Sequence, residues 1–161
     1  MKTLLLLRHA KSSHDDSNHR DHERPLNDRG FKEAQKTGQF MKDEKLIPDL
    51  IITSSAIRTV QTAEIVKKTC HYKNERIVTD KLYEASVRDY LQITVDFSKK
   101  NYNSVMLVGH NPTIEQTLSL LIGQSKTMKT ADLAQLELSI DSWRELFEQP
   151  VKAQLKKYFS P

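Results

Sequence analysis

Met1-Lys-Thr-Leu-Leu-Leu-Leu-Arg-His-Ala-Lys11 is the stretch whose reading decides the fold. Leu4 to Leu7 form an apolar run without polar alternation, the pattern of a strand buried on both faces inside a parallel sheet. The run stops at Arg8, His9 and Lys11, so the strand delivers an imidazole and two cations at its carboxyl end. In an open α/β sheet, ligands bind at that end. A cation beside a neutral imidazole suits an anion that the imidazole attacks. Taken alone, the stretch is equally compatible with a buried strand followed by an ordinary polar loop.

Working outward, the chain of 161 residues fits one domain with a substantial core. Its 29% charged and 37% hydrophobic residues are an ordinary globular balance. No apolar stretch approaches a membrane span. Arg8-His9-Ala10-Lys11 follows the first apolar run without a small-residue cleavage pattern, so no secretory leader is expected. Cys70 is the single cysteine, which excludes an internal disulfide framework and points to a reducing, cytoplasmic setting. No nucleophile motif surrounds it. The formal charge of +4 is spread along the chain and no nucleic-acid-binding motif is present. Neither a nucleic acid nor a membrane is an expected partner. The modest basicity is compatible with a phosphorylated one.

Residues 12–24 hold His14, Asp15, Asp16, His19, Asp21 and His22. A metal site is one reading, but no HExxH arrangement or repeated helical ligand spacing supports it. A solvated loop at the rim of the His9 site is the other. Asn27 reads as an N-cap and Asp28 as a first-turn anion, opening a helix to about Lys45 with Phe31, Ala34, Gly38 and Met41 inward. Asp49–Thr53 reads as a second buried strand. Ser54-Ser55 then caps a helix with Ile57, Val60, Ala63 and Val66 or Ile65 as its core stripe. Arg58 lies in the first turn of that helix, where the dipole disfavours a cation, so an anionic ligand there would explain it. An exposed surface arginine is the plainer alternative.

Arg76–Thr79 reads as a third strand, followed by a helix carrying Val87, Tyr90, Leu91, Thr94 and Phe97 on one side. Asn103–Gly109 is the clearest strand after the first, and it too ends in a histidine, His110. Asn111 as cap and Pro112 in the first helical position start Thr113–Ile122, with Ile114, Leu118 and Leu121 inward. Alternation in Leu133–Ile140 suggests a last strand near the sheet edge, and a short helix or irregular tail is expected beyond Trp143. Strands alternating with helices give an α/β three-layer sandwich with a mostly parallel central sheet. Strand ends of such a sheet converge on one edge, so Arg8, His9, Arg58 and His110 can share a pocket.

At these residues the chain resembles the histidine phosphatase superfamily. The motifs are Leu7-Arg8-His9-Ala10-Lys11-Ser12, Arg24-Pro25-Leu26 through Gly30, Ser54-Ser55-Ala56-Ile57-Arg58-Thr59-Val60-Gln61-Thr62-Ala63, and Val108-Gly109-His110-Asn111-Pro112. They occur in the family's order from the first strand to about residue 122, and their form resembles the SixA-type phosphohistidine phosphatase branch. The resemblance implies a phosphoglycerate mutase-like fold over residues 1–161, without a cap insertion. It implies that His9 is the nucleophile, with Arg8, Arg58 and His110 holding phosphoryl oxygens and Lys11, Ser12 and Asn111 near the substrate. Glu84 falls where many members place a general acid, and an exposed loop glutamate is an equally good reading. Ala10 departs from the family's usual glycine, and Lys11 from the acid or glutamine of many relatives.

The chemistry is consistent with that role. A histidine of ordinary pKa, about 6.5, is mostly neutral at pH 7. Each flanking guanidinium offsets phosphoryl charge by a few kcal/mol at ~4 Å and can bind oxygen pairs bidentately. No metal or other cofactor is required, because the arginines supply the charge that Mg²⁺ supplies elsewhere. The expected activity is hydrolysis of phosphohistidine on a phosphocarrier or phosphorelay protein. A phosphatase for small phosphate monoesters and a phosphoprotein-binding module without turnover are the rival readings.

Overall fold

A computed structural model describes residues 1–14, 19–99 and 101–161. Its strands are β1 (Lys2–Arg8), β2 (Leu50–Ser54), β3 (Glu75–Thr79), β4 (Ser104–Gly109), β5 (Leu133–Leu138) and β6 (Ala153–Phe159). They form one sheet in the order β3-β2-β4-β1-β5-β6. β3, β2, β4 and β1 run parallel, whereas β5 pairs antiparallel with β1 and β6 antiparallel with β5. The helices are α1 (Asp28–Asp43), α2 (Ile57–Thr69), α3 (Val87–Phe97), α4 (Thr113–Ile122) and the single turn α5 (Glu145–Glu148).

β1 lies inside the sheet, and its leucine run serves two cores at once. Leu4 and Leu6 face a layer containing Tyr90 and Leu91 of α3 and Ile114, Leu118 and Leu121 of α4. Leu5 and Leu7 face the opposite layer, with Met41 of α1 and Ala63 and Val66 of α2. Period-two alternation of side chains splits the run between the two layers. Each buried leucine contributes about 1.5–3 kcal/mol of transfer free energy.

Several local expectations need correction. Phe31 is exposed, because the inward face of α1 is Gly30, Glu33, Ala34, Thr37, Gly38 and Met41. Gly30 sets that phase: a Cβ there would lie 2.0 Å from the Lys11 carbonyl oxygen, so this face of the helix rests on the chain just after His9. The buried face of α2 is largely polar, with Arg58, Thr59 and Thr62 beside Ala63 and Val66, and Ile57 is exposed. Ala56, not a serine, occupies the α2 N-cap, and Pro112 sits at the α4 N-cap rather than inside the first turn. The tail beyond Trp143 holds α5 and then the edge strand β6. β5 therefore lies one strand in from the edge. Among the described residues, no helix is long and apolar enough to cross a membrane.

Candidate active site

β1 and β4 are parallel neighbours with Arg8 opposite Gly109, so the residues that follow them, His9 and His110, emerge side by side. Their ring centroids are 5.5 Å apart. The His9 backbone is fixed on both flanks, its N–H donating to Gly109 O at 3.0 Å and its carbonyl accepting from Ala131 N at 3.1 Å. Its ring Nδ1 lies 2.7 Å from Ala10 O. A carbonyl can only accept, so Nδ1 carries the proton and Nε2 keeps its lone pair. Burial pulls the imidazole pKa down to about 3, reinforced by the charges of Arg58, His110 and Arg8 and opposed by the Ala10 contact. His9 is therefore a neutral Nε2 base throughout the physiological range. Ala10 is fully buried, donates its N–H to Thr62 Oγ1 at 3.0 Å and has no positive φ, so this turn does not need glycine.

His110 is held more tightly. Its backbone N–H donates to Tyr90 Oη at 2.9 Å, and a Cβ on Gly109 would lie 2.2 Å from that same oxygen, which is why glycine precedes it. His110 Nδ1 is 3.2 Å from Arg58 Nη2 and Nε2 is 2.8 Å from Ser54 Oγ. A guanidinium only donates, so Nδ1 accepts and Nε2–H donates to the serine. Burial first, and then the Arg58 charge, lowers the His110 pKa to about 4.

Arg58 is 5% exposed despite its place in the first turn of α2. Its Nη1 donates to Asp21 O at 2.8 Å and its Nη2 to Asp21 Oδ2 at 3.2 Å. Asp21 opens a short 3-10 helix, Asp21–Glu23, and also receives Tyr83 OH at 2.6 Å and the Arg24 fork at 3.1 and 2.9 Å. The Tyr83 hydrogen bond, then Arg24 and Arg58, hold its carboxyl far below the usual carboxylate range. Burial and the Asp21 contact push the Tyr83 phenol up to about 12. Arg8 Nη1 donates to Met128 O at 2.9 Å, and burial lowers the pKa of this guanidinium.

These groups line a cleft of about 440 Å³. All eight residues singled out from sequence border it: Arg8, His9, Lys11, Ser12, Arg58, Glu84, His110 and Asn111. Asn111 does not cap α4; its Nδ2 donates to Glu115 Oε2 at 2.8 Å and to Met128 O at 2.9 Å. Ser12 is nearly buried, and its Oγ accepts from Arg24 Nη1 at 2.9 Å. Glu84 is exposed at the rim with a φ of 52°. Sequence reasoning gave no role to Arg24, Tyr83 or Thr130, which also line the cleft. Of the His/Asp stretch, Asp21 and His14 reach the cleft, while Asp15 and Asp16 lie outside the described residues. Among the described residues, no group of three or more His, Cys, Asp or Glu is placed to hold a metal ion.

The arrangement sets a neutral imidazole nitrogen beside the buried Arg58 and the half-buried Arg8, which is what in-line attack on an anionic phosphoryl group needs. The chain is similar to several known proteins. An uncharacterized chloroplastic protein of Arabidopsis thaliana is 34% identical over 154 residues, 91% of this chain and 71% of that protein. A structure from Agrobacterium tumefaciens, described as a candidate phosphohistidine phosphatase SixA, superimposes with a TM-score of 0.84 at 30% identity over 99% of this chain and 98% of that one. A second SixA candidate, from Nakamurella multipartitia, also gives 0.84, at 26% identity over 99% and 96% of the two chains. Residues 4–103 match the model of the histidine phosphatase superfamily (branch 1). With Arg8 and His9 at the end of β1, Arg58 opening α2 and His110 after β4, the chain belongs to the histidine phosphatase superfamily.

Proposed function

We propose that the protein is a phosphohistidine phosphatase that works through a phosphorylated His9. The observation that carries this reading is the pinned tautomer: Nδ1–H donates to Ala10 O, and burial keeps Nε2 unprotonated beside Arg8 and Arg58. In the first step the Nε2 lone pair attacks phosphorus, the bond from phosphorus to the substrate's imidazole breaks with its electron pair going to that ring, and the ring leaves after taking a proton from solvent. In the second, water attacks the phosphoenzyme and the P–Nε2 bond breaks. Its electron pair returns to Nε2, and the water's protons end on phosphate and solvent. Arg8 and Arg58 offset the phosphoryl charge in both steps, with His110 oriented by Arg58 and Ser54. No metal takes part in this scheme.

Phosphate displayed on another protein's surface, of the phosphocarrier or phosphorelay type, suits a cleft in a chain we read as one domain without a cap. Support for that substrate class comes from the Agrobacterium tumefaciens relative, whose description names phosphohistidine. Turnover of a phosphohistidine phosphocarrier should be measured beside small phosphate esters, with rapid quenching under non-acidic conditions to trap labelled enzyme. We expect faster turnover of the phosphoprotein, label on the wild type and none on His9→Ala. A His9→Ala variant retaining most of its turnover would refute the mechanism.

A further inference from the structure

Behind Asn111, which borders the cleft, lies a carboxylate outside the cleft lining that no step above uses. Glu115 lies in the first turn of α4, and its Oε2 accepts two hydrogen bonds, from Met128 N at 3.0 Å and Asn111 Nδ2 at 2.8 Å. The carbonyl of the same residue, Met128, accepts from Arg8 Nη1 at 2.9 Å and again from Asn111 Nδ2 at 2.9 Å. Glu115 thus holds the N–H of the very residue whose carbonyl anchors the arginine before His9. The loop around Met128 is also tied to β6, since the Tyr158 hydroxyl lies 2.5 Å from Asp132 Oδ2 and 3.0 Å from Thr127 O and shares its one proton between them. That contact fixes where the segment runs, and Glu115 fixes how Met128 is presented to Arg8.

The geometry points to Glu115 as a positioning residue for Arg8, acting through Met128 and Asn111. The inference rests on the reading above that Arg8 holds phosphoryl oxygens. Among the described residues, Arg8 makes one side-chain hydrogen bond, with one arm of its fork, so the direction of the Met128 carbonyl decides how the other arm faces a phosphoryl oxygen. The Glu115 charge also leads those that oppose the burial-driven fall of the Arg8 pKa. A glutamate in the first turn of a helix has a simpler use, complementing the exposed N–H groups of that turn. That use calls for no contact with Met128 or Asn111, and it would register in stability alone.

The two accounts part in a set of variants assayed with para-nitrophenyl phosphate and, independently of turnover, by calorimetric titration with tungstate. Glu115→Ala removes the acceptor and should lower kcat/KM by about 10-fold, up to about 10²-fold, with a matching loss of tungstate affinity. Glu115→Gln keeps one oxygen able to accept both N–H groups and should recover most of that loss, although its charge is gone. Should Glu115→Ala fail to fold, Glu115→Asp, whose carboxylate falls short of Met128, takes its place and should show the same deficit. In an Arg8→Ala background, Glu115→Ala should cost nothing further, because residues acting through one another are not additive. Unchanged kinetics and tungstate affinity in Glu115→Ala, an undiminished loss in the Arg8→Ala background, or no rescue by glutamine would each overturn the proposal. Wild-type turnover by Arg8→Ala would instead defeat the reading of Arg8 itself, and the proposal with it.

Discussion

Arg58 Nη2 donates to His110 Nδ1 across 3.2 Å, joining the first turn of α2 to the end of β4. Because a guanidinium cannot accept, the contact is compatible only with a neutral His110 protonated on Nε2. The same guanidinium carries Asp21 on its other side. Arg58 is thus both a cation for the cleft and the part that sets the orientation and charge of its neighbour, and replacing it should disturb more than one contact.

Arg58→Lys tests this directly. Lysine keeps the positive charge but cannot span His110 and two Asp21 oxygens at once, so kcat/KM should fall by about 2–4 kcal/mol in transition-state free energy. Near wild-type kinetics would mean that charge alone matters at this position.

The pH dependence follows from the two depressed histidines. In the folded protein His9 titrates near 3 and His110 near 4, against 6.5 for an unperturbed imidazole. Between those values the unfolded chain binds more protons than the folded one, so folding stability falls as pH falls below 6.5. At pH 5 the loss relative to pH 7 should be on the order of 2 kcal/mol per histidine, read from urea unfolding, and smaller by one such share in His9→Ala. The acid limb of kcat/KM, corrected for substrate ionisation, should likewise lie well below pH 6. A limb at 6.5 would show that His9 is not kept neutral by burial.

Glu84 separates the two substrate classes. A phosphate ester expels an alkoxide that benefits from a positioned acid by about 10²–10⁴-fold, whereas an imidazole leaves readily with a proton from solvent. Glu84→Gln should therefore barely alter turnover of a phosphohistidine protein. It should slow alkyl phosphates sharply and aryl phosphates less, so the loss should grow with leaving-group pKa. A uniform loss across all substrates would favour small esters as the natural class.

Exhaustive chelation should leave activity intact, because the scheme proposed for the cleft neutralises phosphoryl charge with guanidiniums. A large loss restored by a divalent cation would return the His/Asp stretch before Arg24 to consideration as a metal site.

The parts of this molecule legible in its sequence are those encoded by local pattern. The uninterrupted Leu4–Leu7 and Val105–Val108 runs announce interior strands, and the histidines that follow them announce the site. α1 is legible in place and cap, with Asn27 accepting from Gly30 N, but not in phase, because the Gly30 approach to Lys11 is a tertiary contact. The buried face of α2 is polar where an apolar stripe is expected, because Arg58 reaches His110 and Thr62 holds the turn after His9. β6 escapes detection because an edge strand with no fully buried residue carries little hydrophobic signal. Asp21 and Tyr83 meet only through the fold, at a contact of 2.6 Å that no spacing rule encodes.

β1 pairs only with strands far along the chain, since its two partners, β4 and β5, are made from residues 104–109 and 133–138. Contacts so distant along the chain slow folding. Until they form, His9 is an ordinary histidine that titrates near 6.5 and lacks the guanidiniums beside it. The reactive imidazole is in that sense a property of the finished sheet. A nascent chain ending before β4 would carry the whole first motif and still take no phosphoryl group from a donor.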